Sequence, residues 1–428
     1  MIPVYTGAEA FEQLDAILYL KKSDENAVEG TVKEIIRQVQ SDGDSALKAL
    51  AERFGERPPS TFLLPKGEIQ AAVARVPEKT KQLLNRAAAN IRTFGEAVMQ
   101  AAQPVVLDRG DFQVGLDWKP VERAACYVPG GRYPLPSTAL MTAITAQAAG
   151  VPEICIASPA LKDEIIYAGT LAGVRTFYQV GGAQAVAALA FGTQTIQPVD
   201  LIVGPGNAYV TEAKRQLQGT IGIDMLAGPS EVAIMADAGA NPHWVALDLL
   251  AQAEHDIEAR AYLLTDSEEL ARQVNQELAA ITRTHMELPA FLRQTTYWGA
   301  MLVFPSLEDC IQAANALAPE HLELHVRNPD ATKDSLKHYG ALFMGDTSPV
   351  PLGDYMAGPN HTLPTGRTAR FAGGLNPMTF LRPQSWIRAT AQATELAADA
   401  AKFAGLEGLT AHRLSAQARL QSSPASLA

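Results

Sequence analysis

The chain has 428 residues, of which 47% are hydrophobic and 19% are charged, and this length predicts several globular units rather than one core. Its 35 basic and 46 acidic residues give a formal net charge of −11 without a basic stripe interleaved with aromatics, which argues against a nucleic-acid partner. The sequence has no apolar run of about 18 residues and no basic N-terminal region followed by a long apolar segment, so we expect a soluble cytoplasmic protein without a membrane partner.

The cysteines limit the chemistry of any metal site. Cys126, Cys155 and Cys310 are far apart and form no CxxC pair, which predicts neither a disulfide framework nor a thiolate zinc site. A bound metal would therefore need nitrogen and oxygen ligands. No role follows for Cys126.

The first quarter of the chain has the apolar spacing of packing helices. Residues 32, 35, 36 and 39 are apolar at helical spacing, and the pattern returns at 83–91. We expect no chemistry on these helices. The apolar run 16–20 precedes the charged run 21–25, which predicts an N-terminal arm that another surface, such as a partner subunit, must cover.

From residue 124 the pattern changes to alternating strands and helices. The predicted strands are 124–128, 154–157, 176–180 and 201–203, and the predicted helices are 138–149, 183–191 and 208–217. This alternation favours βαβ units and a parallel sheet. Glycine-rich turns follow three of the strands, at 129–131, 181–182 and 204–207, and such turns are typical of nucleotide sites. None is a GxGxxG motif, and each alone is more often a simple tight turn.

A second α/β stretch contains two adjacent protonatable groups. Its predicted strands are 231–236, 261–264, 301–304, 322–326 and 341–344. Glu320 and His321 follow Pro319, which excludes a helix through this point, and precede a leucine alternation that predicts a half-buried strand. Alone, such a pair is more often a solvated glutamate beside a core histidine than a catalytic pair.

Three further segments combine imidazole with carboxylate or amide groups. They contain Gln252 with His255, Asp354 with His361, and Glu407 with His412. The first pair lies three apart at the end of a predicted helix, 244–253, and could share one helix face. The second pair brackets a loop rich in glycine and proline, and the third follows an alanine-rich helical run, 391–404. A solvated helix end, a surface loop and an incidental terminal histidine are the plainer interpretations.

Taken together, these segments resemble the signatures of the histidinol dehydrogenase family, in family order and across nearly the whole chain. The matching segments are YVPGG (127–131), GGAQA (181–185), VGPGNAYV (203–210), AGPSE (227–231), QAEH (252–255), PEHL (319–322), GDY (353–355), GPNH (358–361) and EGLTAH (407–412).

The resemblance implies a zinc-containing, NAD-dependent homodimer that oxidises L-histidinol through L-histidinaldehyde to L-histidine, in the last steps of histidine biosynthesis. The implied catalytic pair is Glu320 and His321. The implied zinc ligands are Gln252, His255, Asp354 and, from the partner chain, His412. The implied substrate contacts are these six residues together with Ser230, His361 and Glu407. The implied NAD contacts are Tyr127, Gln184 and Asn207.

The two oxidations need different proton transfers. Alcohol oxidation needs a base for the hydroxyl proton, and a histidine with a pKa near neutrality suits that task, so His321 is the candidate base. The aldehyde must first gain water, and the carboxylate of Glu320 is the candidate group to deprotonate it. Zinc would orient the substrate through its imidazole and amino nitrogens, and Glu407 would accept a hydrogen bond from the imidazole.

The chain departs from the family pattern at Arg367, where the usual run has a glycine, and around Asn376 and Pro377. Two alternatives therefore stay open. One is a related zinc and NAD dehydrogenase of another small primary alcohol, such as a sulfonated diol, and the other is a dimeric binding protein without activity. The retained Ser230 and Glu407 favour histidinol.

The predicted fold is α/β, with two Rossmann-like α/β domains, one inserted in the other, and N- and C-terminal arms exchanged in a dimer. The predicted boundaries are an N-terminal arm at 1–25, a main catalytic domain at 26–125 and 230–376, an inserted NAD-binding domain at 126–229, and a helical dimerisation arm at 377–428 that carries Glu407 and His412. Residue patterns support the two sheets, whereas the insertion and the exchange are implied by the resemblance.

Overall fold

The computed structural model describes residues 2–19, 25–55, 57–130, 135–294 and 298–420. The turn glycine Gly131 and the charged residues 21–24 lie outside the described residues. The chain forms two compact units: the first comprises Met1–Met99 and Val121–Phe380, and the second comprises Gln100–Pro120 and Leu381–Ala428.

Helices and strands alternate through most of the described chain. The helices are α1 (Ala8–Leu18), α2 (Glu25–Asp42), α3 (Asp44–Arg53), α4 (Lys66–Arg75), α5 (Glu78–Met99), α6 (Pro136–Ala148), α7 (Asp163–Leu171), α8 (Gly182–Phe191), α9 (Ala208–Leu217), α10 (Pro242–Ala253), α11 (Glu268–Thr284), α12 (Ala290–Gln294), α13 (Leu307–Leu317), α14 (Pro329–Lys333), α15 (Val350–Tyr355), α16 (Thr394–Leu406) and α17 (Thr410–Ala418), with 3-10 turns at Thr368–Arg370 and Pro377–Phe380. The strands are β1 (Val4–Thr6), β2 (Val105–Asp108), β3 (Phe112–Pro120), β4 (Arg123–Tyr127), β5 (Glu153–Ser158), β6 (Thr176–Gln179), β7 (Leu201–Val203), β8 (Gly222–Ile223), β9 (Glu231–Ala236), β10 (Arg260–Thr265), β11 (Gly299–Val303), β12 (His321–His325), β13 (Ala341–Met344) and β14 (Leu381–Ala389).

Two parallel sheets form the first unit. The five-stranded sheet has the order β6-β5-β4-β7-β8, and the six-stranded sheet has the order β1-β11-β10-β9-β12-β13. Every strand pairing in both sheets is parallel. The predicted α/β class with parallel sheets is therefore confirmed, and all nine predicted strands overlap observed ones. The prediction missed β1 and β8, which are only three and two residues long.

Strand β12 lies inside the six-stranded sheet, between β9 and β13, and all five of its residues are buried. The prediction of a half-buried strand was therefore wrong. Leu322 and Leu324 pack into a core cluster on one face, and His321, Glu323 and His325 lie on the other face. A central strand of a parallel sheet is covered on both faces, so the alternation separates apolar from polar buried positions.

The predicted packing helices cover the five-stranded sheet. Val32, Ile35 and Val39 of α2 belong to one core cluster with residues of α8, α9 and the sheet. Burying such side chains contributes about 1.5–3 kcal/mol each. In α5 the apolar face is also buried, except that Leu83 is 48% exposed and so lies outside the predicted face.

The described N-terminal residues pack on the chain's own six-stranded sheet. Strand β1 pairs with β11, and Ala10 and Leu14 of α1 are buried in the cluster that contains Leu322 and Leu324. The chain's own sheet therefore covers Ala10 and Leu14, whereas Tyr19 in the predicted apolar run is 80% exposed. The predicted domain boundaries and the exchange of arms stay predictions.

The second unit consists of an antiparallel sheet, β14-β3-β2, and the helices α16 and α17. The predicted C-terminal arm contained only helices, but the structure adds the nine-residue strand β14. Seven of its residues are exposed, and all four residues of β2 are exposed. Neither strand shows a period-2 alternation of buried and exposed residues, which is the signal that predicts strands from sequence.

Candidate active site

Glu320 and His321 lie at the junction between α13 and β12. The helix ends at Leu317, Ala318 takes the left-handed conformation with φ 45°, and His321 begins the strand. A left-handed residue after a helix is a common way to end it. The predicted loop-to-strand junction is therefore confirmed. The side chains of Glu320 and His321 are buried, at 6% and 3% exposure, so Glu320 is not the solvated glutamate of the plainer interpretation.

The carboxylate of Glu320 is held from one side by the segment that leads into β9. Its Oε2 accepts hydrogen bonds from Ser230 Oγ at 2.5 Å and from the backbone N–H of Glu231 at 2.9 Å. Burial raises the pKa of Glu320, although His321 and these two donors oppose the rise. Ser230 contacts Glu320 here, and its role as a substrate contact stays a prediction.

The imidazole of His321 lies between two carboxylates. Nδ1 is 3.3 Å from the carbonyl oxygen of Glu231 and 3.7 Å from Glu320 Oε2, and Nε2 is 3.6 Å from Asp354 Oδ1. Burial opposes the charged ring, but Glu320 and Asp354 outweigh it and raise the pKa of His321 to about 9. This value lies above the near-neutral pKa expected for a base. The two carboxylates that face the imidazole cause the rise, and the sequence alone did not show that they meet.

Asp354 and His361 meet in three dimensions. His361 Nδ1 lies 2.9 Å from the backbone carbonyl of Asp354 and donates to it, which leaves Nε2 as an acceptor 3.4 Å from Thr138 Oγ1. Burial alone would raise the pKa of Asp354, but the imidazoles of His321, His361 and His255 lower it. Asp354 lies in α15, so the loop prediction was wrong at this residue, whereas His361 is in a loop.

His321, Asp354 and His361 line one cavity of about 340 Å³. Its polar lining residues are His321, Ser348, Asp354, Asn360 and His361, and its other walls are largely apolar and include Phe343 and Leu363. A concave, mostly apolar pocket with a few converging polar groups is typical of a small-molecule site.

Gln252 and His255 lie at the end of α10. The side chain of Gln252 is 2% exposed, and neither its amide nitrogen nor its amide oxygen has a hydrogen-bond partner among the described residues. Buried amides without partners are rare, so this side chain fits a ligand such as a metal ion. His255 lies just after the helix rather than on its face, and it is close enough to lower the pKa of both Asp354 and His361. Imidazole and carboxylate donors suit zinc.

The other two C-terminal candidates lie in the second unit. Glu407 directly follows α16, and His412 lies in α17. Both side chains are exposed. Their assignment to the site stays a prediction.

The predicted cofactor residues follow strands of the five-stranded sheet. Tyr127 ends β4 and its hydroxyl accepts a hydrogen bond from the N–H of Gly182 at 3.0 Å, which joins two of the three glycine turns. Asn207 caps α9 by accepting from two backbone N–H groups, and Gln184 is buried in α8. These turns lie at the carboxyl ends of parallel strands, where dinucleotides bind in α/β sheets. The NAD contacts themselves stay predictions.

Sequence reasoning missed two sets of buried or half-buried polar residues near the site, one around Glu231 and one around Glu323. Glu231 accepts from the N–H of Gly366, and burial together with Glu320 raises its pKa to about 7. Asp248, Glu323 and His325 form a second cluster. The available signal was the position of Glu323 and His325 at i+2 and i+4 from His321 on one strand.

Comparisons with known proteins support one family. The family model for histidinol dehydrogenase matches residues 19–420. The chain belongs to the histidinol dehydrogenase family. A histidinol dehydrogenase of Prochlorococcus marinus is 44% identical over 398 residues, which are 91% of this chain and 90% of that protein. A histidinol dehydrogenase of Gluconobacter oxydans is 43% identical and covers 97% of this chain and 98% of its own length.

A solved structure agrees with the same family. The crystal structure of histidinol dehydrogenase from Elizabethkingia anophelis superposes with a TM-score of 0.91 at 32% identity and covers 98% of both chains. Membership makes the chain an oxidoreductase that oxidises histidinol in histidine biosynthesis, and this favours the main interpretation over a binding protein without activity. Among the described residues, no helix is long and apolar enough to cross a membrane. A cytoplasmic location stays a prediction.

Proposed function

We propose that the protein catalyses the zinc- and NAD-dependent four-electron oxidation of L-histidinol, through L-histidinaldehyde, to L-histidine. The observation that carries this proposal is the convergence of His321, Asp354 and His361 on one cavity, with the unpartnered amide of Gln252 and the imidazole of His255 nearby. Membership of the family supplies the substrate.

Four side chains would hold zinc. Gln252, His255 and Asp354 come from one chain, and we propose that the fourth is His412 of the partner subunit in a homodimer. Zinc bound there would orient the substrate through its imidazole and amino nitrogens and would neutralise the Asp354 charge that faces His321. Ser230, His361 and Glu407 would contact the substrate, and Glu407 would select an imidazole by accepting its N–H.

His321 is the proposed base for the alcohol oxidation. The carbonyl oxygen of Glu231 can only accept a hydrogen bond, so Nδ1 of the neutral ring carries the hydrogen and Nε2 is left to accept the hydroxyl proton. Nε2 is also the atom that faces Asp354. The hydride leaves the substrate carbon as this proton is removed.

Glu320 is the proposed base for the second oxidation. Ser230 and the N–H of Glu231 both bind Oε2, which leaves Oε1 to take a proton from the water that adds to the aldehyde. Burial raises the pKa of this carboxyl, and a raised pKa makes the carboxylate a stronger base. NAD, held by Tyr127, Gln184 and Asn207, would accept one hydride in each oxidation.

Removal of zinc and substitution of His321 test this proposal together. We expect a chelator-treated sample to lose NADH formation with histidinol and to regain it with zinc. We expect His321→Asn to lose both hydride steps while its zinc content stays at one per chain, because His321 is not a proposed ligand. Full activity without zinc would contradict the metal assignment, and loss of zinc from His321→Asn would show that the role of His321 is misassigned.

A further inference from the structure

Glu323 lies on the same face of β12 as His321 and is fully buried. A buried carboxylate without partners strongly destabilises a protein, so the groups that contact Glu323 indicate its role. Its Oε1 accepts a hydrogen bond from the backbone N–H of Val350 at 2.8 Å. Its Oε2 is 3.3 Å from His325 Nε2.

The Val350 contact joins Glu323 to the helix that carries Asp354. Val350 is the first residue of α15, and Asp354 follows it by four residues, which is about one helical turn. Leu352, Gly353 and Asp354 of this helix line the cavity. Strand β12 therefore contacts α15 at two points. Glu323 binds the first residue of the helix, and His321 Nε2 lies 3.6 Å from Asp354 Oδ1.

His325 contacts the Glu323 carboxylate and is itself flanked by two aspartates. His325 is 1% exposed, and its Nε2 also lies 3.6 Å from Asp248 Oδ2. Its Nδ1 lies 3.6 Å from Asp346 Oδ1. The Glu323 carboxylate therefore lies between the imidazole of His325 and the first residue of α15.

We propose that Glu323 is a positioning residue that fixes the start of α15 and thereby sets where Asp354 meets the metal and His321. This inference rests on the proposed assignment of Asp354 as a zinc ligand. Residues that orient metal ligands change metal affinity by about 10–100-fold when they are replaced. Glu323 itself is not among the described residues that line the cavity.

Three variants test the inference through zinc affinity, measured by competition with a coloured chelator. Glu323→Ala removes the acceptor, and we expect at least about tenfold weaker zinc binding with unchanged NAD binding. Glu323→Gln keeps an oxygen for the Val350 N–H, and we expect it to recover most of the affinity. Val350→Pro removes the same hydrogen bond from the donor side, and the extended backbone of Pro349 (φ −73°, ψ 156°) accepts a following proline.

The control is Ser267→Ala, which removes the side-chain acceptor at the start of α11, a helix without proposed ligands. It should leave zinc affinity unchanged. Val350→Pro also keeps the test valid if Glu323→Ala does not fold. Wild-type zinc affinity in both Glu323→Ala and Val350→Pro, in a protein where Asp354→Asn loses zinc, would overturn the inference, as would a Glu323→Gln variant as weak as Glu323→Ala. Absence of zinc binding in the wild-type protein would instead refute the proposed function.

Discussion

At the residue scale, the adjacent side chains of Glu320 and His321 contact different groups. Glu320 points to Ser230 and the Glu231 N–H, whereas His321 points with Nε2 to Asp354 and the cavity. Glu320 directly precedes β12 and His321 begins it, and successive side chains of extended backbone point to opposite sides. This separation is the structural basis for one proton path per oxidation.

Glu320→Gln tests the division of roles. The amide keeps an acceptor for Ser230 and Glu231 but cannot take a proton from water, so we expect the second oxidation to slow by about 10²–10⁴-fold while the first continues. The NADH yield should fall toward one per histidinol, and the aldehyde should be trapped by an added hydrazine. Equal slowing of both oxidations would contradict separate roles.

At the scale of elements, the glycine turn between β7 and α9 depends on close backbone approach. Gly204 has φ +115°, and a Cβ at this position would collide with the carbonyl oxygen of Tyr127. Its N–H donates to Asp224, and Lys214 donates to its carbonyl oxygen, so the turn is held on both sides. The end of β4 at Tyr127 and the proposed NAD turn at Gly204 are therefore in direct contact.

Gly204→Ala should therefore weaken NAD binding. We expect at least a tenfold rise in KM for NAD and a smaller change in KM for histidinol, because the turn must move away from Tyr127. Gly219→Ala is the matched control: its φ is +99°, but nothing lies within 4 Å of the added Cβ. Both variants carry the backbone strain of a left-handed alanine, so an equal effect on NAD binding would rule out the collision as the cause.

Elements with a buried apolar face were predictable, whereas exposed elements and short elements were not. The nine predicted strands overlap observed ones because apolar runs between turns mark interior strands of a parallel sheet. β14 was missed because its residues are exposed, and α15 was missed because it is six residues long and contains proline and glycine. At the site, the motif segments identified Glu320, His321 and Asp354. The i+2 spacing places Glu323 on the same strand face as His321, but the sequence does not show its hydrogen bond to Val350, 27 residues away.

At the scale of the whole molecule, we propose that a second chain completes the site. Residues of α16 leave large apolar side chains exposed, with Phe403 at 63% and Leu406 at 85%. Exposed apolar residues in one element are typical of surfaces that a partner covers. This surface agrees with the proposal that the segment carrying Glu407 and His412 is exchanged in a homodimer.

Subunit mixing tests this sharing. Dimers formed from His255→Ala and His412→Ala chains should recover about a quarter of wild-type activity, because half of randomly paired dimers are mixed and each mixed dimer holds one intact site. Mixing His255→Ala with Asp354→Asn should recover nothing, since both residues come from one chain. Failure of the first mixture to exceed its parents would place His412 in its own chain's site or outside any site.

The stoichiometry of NADH formation tests the central claim most directly. A limiting amount of L-histidinol is incubated with the zinc-loaded protein and excess NAD, and NADH and L-histidine are measured at completion. Because each oxidation hands one hydride to the cofactor, the account predicts about two NADH and one histidine per histidinol. A yield of one NADH with the aldehyde as product, or no NADH at all, would contradict it.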